Sequence, residues 1–65
     1  MNMTGKVKAI IALASEVRAL DTEEEFTSLV EDVEYIDMTD EEEFNTLYQS
    51  LEEAKRSLKK QSHKE

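Results

Sequence analysis

The sequence predicts an all-α protein, a small antiparallel three-helix bundle, and three observations carry that expectation. Its 65 residues contain no proline and a single glycine, Gly5. Glu, Leu, Ala and Lys, all strong helix formers, are abundant throughout. Apolar residues recur at helical spacing in three stretches, separated by short polar segments that read as helix starts.

The first helix is expected over about residues 4–20. Val7, Ile10, Ile11, Ala14 and Val17 fall on one face, Leu13 and Leu20 widen it, and Ala9, Ala12 and Ala19 leave little polar surface. A helix apolar nearly all round is expected to be the most buried member of its domain, here in the groove between the other two. Lys6 and Lys8 ahead of the apolar stretch Ala9–Ala14, whose last three residues Ala12-Leu13-Ala14 resemble a cleavage site, imitate a signal peptide. Six apolar residues fall short of the about 7–15 of a signal core, and the periodicity runs on to Val17 and Leu20, so the stretch is read as a structural helix.

The second helix is expected over 22–36, where Phe26, Leu29, Val30 and Val33 keep the i, i+3, i+4, i+7 pattern. Asp21 or Thr22, with Glu24 or Glu25 three residues on, forms a capping box in either register. The third is expected over 39–60, opened by Thr39-x-x-Glu42 as a capping box. It carries a heptad-like stripe of Phe44, Leu47, Leu51, Ala54 and Leu58, with Tyr48 beside it. Residues 61–65 hold nothing apolar and are expected to fray. Glu23-Glu24-Glu25-Phe26 returns eighteen residues later as Glu41-Glu42-Glu43-Phe44. Two helices obeying the same rules account for this echo without a duplication, since stacked repeats need about three copies to bury a core. The chain is thus one helical domain over 1–65. The alternative architecture is a helical hairpin that completes its core as a homodimer through the third stripe, because a chain this short buries only about 60% of its unfolded surface.

Composition removes several functions. There is no cysteine, hence no disulfide, thiolate metal site or cysteine nucleophile. This suits a reducing, cytoplasmic setting. No apolar run approaches the about 20 residues that cross a bilayer, so no membrane role is expected. His63, the one histidine, stands in the tail, and no serine has an ordered base beside it, so the chain is expected to be no enzyme and to carry no cofactor.

Metal binding is the closest near-miss. Asp32, Glu34, Asp37, Asp40 and Glu43 fall at positions 1, 3, 6, 9 and 12 of a twelve-residue window. An EF-hand needs an oxygen ligand at position 5 and glycine at 6, where this chain has Ile36 and Asp37, so no metal site is expected. An acyl carrier protein would need Asp-Ser-Leu at a helix start. Ser28 follows Thr27 in mid-helix and does not supply it.

Charge is the informative quantity. The net charge is −8, distributed as +2 over residues 1–20, −14 over 21–53 and +4 over 54–65. Residues 21–53 hold fourteen acids and no Lys or Arg. Acids in first helical turns are explained by the helix dipole. Glu31, Asp32, Glu34 and Asp37, at the carboxyl end of the second helix, are not, and a single-sign field kept at a stability cost points to a basic partner. The expected function is therefore a non-catalytic regulator or inhibitor that presents carboxylates to the basic surface of another protein, such as a nucleic-acid-binding one. The expected contacts are Glu23, Glu24, Glu31, Glu34, Asp37, Asp40, Glu41 and Glu42, with Tyr35 as an aromatic anchor. Direct nucleic-acid binding is disfavoured, since phosphates would meet like charge. In kind, though in no motif, the chain resembles phage-encoded host-takeover factors, which implies the host cytoplasm. The alternative function is a structural or assembly module that self-associates through the third stripe.

Overall fold

A computed structural model of the chain describes residues 3–62. It is a three-helix bundle: α1 spans Met3–Leu20, α2 spans Thr27–Asp32 and α3 spans Glu41–Ser62, each packing on the other two. No strand occurs among the described residues.

The sense of α1 and α3 follows from two contacts. Lys6 Nζ lies 5.8 Å from the centroid of the Phe44 ring, near the start of both helices. Lys55 Nζ lies 2.6 Å from Glu16 Oε1, toward their ends. The two long helices therefore run parallel, and residues 21–40 carry the chain back along them.

Hydrocarbon from this pair makes the core. α1 contributes Ile10, Leu13, Ala14 and Val17, the i, i+3, i+4, i+7 face of one helix. α3 contributes Phe44, Leu47, Leu51, Ala54 and Leu58, and Val33 enters from the connecting stretch. Ile10, Val17 and Leu51 are fully buried. The stripe on α3 that was expected to offer a dimer interface is thus the core of the monomer, and a hairpin that pairs through it is not the architecture. The Phe44 and Tyr48 rings stack along the start of α3 with centroids 6.0 Å apart.

Two expectations about α1 are corrected. Ile11 remains 48% exposed, and Ala9, Ala12 and Ala19 are open to solvent. α1 is therefore buried along one face, as α3 is, and not nearly all round. With only six residues in α2 and none of them buried, there is not enough third helix to cover its far side.

The second helix is also shorter than expected over 22–36, at both ends for separate reasons. At its start, Asp21 diverts the chain. The Oδ1 of Asp21 accepts the Glu25 amide and its Oδ2 the Phe26 amide, each at 2.8 Å. Those N–H groups are held by a side chain instead of a preceding helical turn, and residues 22–26 form a loop with Glu24 at φ 57°. At its end, Glu31 and Asp32 stand in the last turn with no base to match the dipole. The chain tightens there into i→i−3 bonds, from the Val33, Glu34 and Tyr35 amides to the Val30, Glu31 and Asp32 carbonyls. The third helix begins two residues later than expected and runs through Gln61 to Ser62. Residues 63–65, His63 among them, lie outside the described residues.

Candidate protein-binding surface

The acidic segment is organised by three aspartates before it presents anything outward. Asp21 is the one buried acid, 7% exposed, and closes the loop after α1 by taking two amides. Its own amide still donates to the Val17 carbonyl at 2.9 Å, so one residue both ends α1 and sets up α2. The Oδ1 of Asp37 accepts the Thr39 hydroxyl at 2.6 Å and the Thr39 amide at 3.0 Å. These two bonds, the hydroxyl's first, hold the Asp37 carboxyl below the usual carboxylate range. Asp40 caps α3: its Oδ1 accepts the Glu42 and Glu43 amides at 3.1 and 3.3 Å. Glu43 reaches back, its Oε1 accepting the Asp37 amide at 3.4 Å. The expected Thr39–Glu42 capping box does not form: Asp40 is the cap, the Glu43 carboxylate takes the Asp37 amide and not that of Asp40, and Thr39 is engaged by Asp37.

The nine residues expected to contact a partner are divided by this arrangement. Glu24, Glu31, Glu34 and Tyr35 come together around a concavity of about 470 Å³, with Arg18, Asp21, Thr27 and Val30 completing its lining. Tyr35 is 81% exposed at its lip, which suits an aromatic contact residue. Glu42 belongs to a different groove, between α2 and α3. Glu23 is exposed in the loop and Glu41 in the first turn of α3. Asp37 and Asp40 are occupied in turn and cap bonds. The reading of Asp37 as a helix-end charge without structural use is therefore corrected.

Electrostatically, the surface is uncompensated. Of the fourteen acids in 21–53, Asp21 is buried and Asp37, Asp40 and Glu43 hold backbone groups, which leaves ten exposed carboxylates without a partner among the described residues. The ion pair found among the described residues is Glu16–Lys55, between α1 and α3 and outside this segment. Lys55, and Lys59 more weakly, hold the Glu16 carboxyl below its usual value. Arg18 is the base beside the acidic concavity, and it makes no ion pair there.

Sequence reasoning missed three features. Asp21 as a buried double acceptor could have been suspected from an Asp placed immediately after the apolar face of α1, four and five residues before the amides it holds. Arg18 joins the acids only because the chain turns back on itself, and no local pattern signals that. The apolar floor between α2 and α3 depends on how far α2 fails to cover α3.

Among the described residues no three His, Asp or Glu side chains converge as a metal site would need, and no helix is long and apolar enough to cross a membrane. No protein-family model, no curated protein and no solved structure matches the chain.

Proposed function

We propose that this chain is a non-catalytic regulator or inhibitor that binds a basic protein through the carboxylates of residues 21–53. The observation that carries the proposal is the set of ten exposed carboxylates with no partner among the described residues, on a segment that holds no Lys or Arg. A stable surface ordinarily intersperses the two signs. Keeping them apart costs self-repulsion, and the use such a field serves is steering and holding a cationic partner.

The parts have distinct roles in this reading. Glu24, Glu31 and Glu34 surround the concavity, where the Lys or Arg side chains of the partner would bind, and the Tyr35 ring offers them a cation–π face. Asp21, Asp37 and Asp40 hold the scaffold. A nucleic-acid-binding protein is the natural class of partner, because its surface is already arranged to receive negative charge. A cytoplasmic, phage-type takeover factor is the biological setting such a function fits.

The test is capture of partners from the source cell at low salt with elution by a salt gradient, followed by affinity measurement on the eluted protein. Affinity is expected to fall at least about tenfold between low and moderate ionic strength, as surface charge pairs are screened beyond about 8–10 Å. Glu24→Gln, Glu31→Gln and Glu34→Gln together are expected to weaken binding and flatten its salt dependence. An affinity that ignores salt, or that survives the triple substitution, removes the proposal.

A further inference from the structure

The two sides of α3 offer grooves of opposite character. Toward α1, a groove of about 400 Å³ is floored by Ala9, Ala12, Leu13 and Tyr48 and rimmed by Lys55, Arg56 and Lys59 together with two acids. Toward α2, a groove of about 420 Å³ has an apolar floor of Leu29, Ile36 and Leu47, with Thr46 and Ser50 as a low wall. Its charged lining is Asp32, Glu42 and Glu43, and no base joins them.

We propose that the α2–α3 groove docks an amphipathic helix of the partner, one whose apolar side chains are flanked by Lys or Arg. This rests on the reading of the acidic segment as a binding surface and adds to it a second contact, distinct from the Glu24–Glu31–Glu34 concavity, with a shape for what binds there. Charge complementarity selects the occupant: an apolar ridge alone would leave three carboxylates desolvated, whereas flanking Lys or Arg side chains meet them at the rim. The floor selects against a purely ionic partner. Leu29 and Ile36 are half-buried, so an incoming apolar side chain would remove their remaining surface from water. The small Thr46 and Ser50 side chains lie on the wall where a helix would pass closest. The basic end of α3 from a second copy cannot supply this ridge, since Ala54 and Leu58 are already in its own core.

Two synthetic helical peptides of equal length and charge separate the possibilities, one built of Leu and Lys in an amphipathic pattern, the other with every Leu replaced by Ala. Binding is followed by fluorescence anisotropy and by amide NMR shifts of the full chain. The Leu peptide is expected to bind at least about tenfold tighter, and the largest shifts are expected at Leu29, Ile36, Thr46 and Ser50. Thr46→Arg, on an exposed position away from the core, is expected to lower that affinity about tenfold while leaving the helical circular dichroism intact. Equal affinities for the two peptides overturn the groove and leave the acidic surface standing. Binding of neither peptide sinks both. Shifts centred on the α1–α3 groove, indifference to Thr46→Arg, or self-association of the free chain through these same residues also overturns it.

Discussion

Glu23-Glu24-Glu25-Phe26 and Glu41-Glu42-Glu43-Phe44 are the same four residues in two conformations. The second begins a helix of 22 residues, with Phe44 in the core. The first is a loop, with Phe26 only half-buried at the boundary of a helix of six. What differs is the position of one aspartate. Asp40 immediately precedes its glutamates and receives amides two and three residues ahead. Asp21 stands one place further back, with Thr22 intervening, and receives amides four and five ahead. A capping residue one position early thus makes a loop where the same acids otherwise make a first turn. Helix propensity is shared by the two segments and cannot decide between them.

The largest expected break in this comparison is in what each segment anchors. Val33 and Leu51 are equivalent positions in the echo, 8% and 0% exposed. Leu51→Ala is expected to cost about 2–5 kcal/mol, enough to unfold a chain this small, and Val33→Ala distinctly less, both by chemical denaturation. Next come the aspartates. Asp21→Ala strands two part-buried amides and is expected to cost about 2 kcal/mol, against about 1 kcal/mol for Asp40→Ala at an exposed cap. Equal losses would show that burial of Asp21 adds nothing. Glu24 holds a left-handed φ that a Cβ disfavours, and Glu24→Gly is expected to stabilise by up to about 1 kcal/mol, read as a rise in melting temperature.

A register swap sharpens the comparison directly. Asp21→Thr with Thr22→Asp gives the first segment the spacing of the second, and is expected to add about one turn of helix to α2, measured by far-UV circular dichroism. Unchanged helicity would mean that the turn, and not the aspartate, dictates the loop. The smallest effect lies at Asp37. Its folded value is depressed, so the contribution of its Thr39 bonds is complete above the unfolded-state value and is lost as pH falls through the folded one. Thr39→Val removes the hydroxyl bond, and an NMR titration of the Asp37 carboxyl carbon is expected to move up toward the ordinary carboxylate range.

The helical class, the α3 stripe and the α1 face apart from Ile11 were legible because long periodic segments leave little ambiguity. Ile10, Val17, Leu47 and Leu51 could be placed from spacing alone. The extent of α2 was not legible, because its amphipathic spacing continues through residues that side-chain hydrogen bonds turn aside. For the same reason the candidate site was legible as a charge distribution and not as a shape. Counting acids singled out Glu24, Glu31 and Glu34, which the fold brings with Tyr35 around one concavity, but the counts do not reveal that Asp37 and Asp40 are bound within the chain. Nor do they reveal that Asp32 and Glu43 border an apolar floor.

The parallel pairing of α1 with α3 has a consequence for assembly of the chain itself. Lys6 and Phe44, like Glu16 and Lys55, meet across nearly forty intervening positions, so the core closes only after a long loop has been drawn in. Neither long helix can find its mate in its immediate neighbour along the chain. If residues 21–40 straighten, the α1 of one molecule can satisfy the α3 of another with the same side chains, and the product is an exchanged dimer whose interior is indistinguishable from that of the monomer.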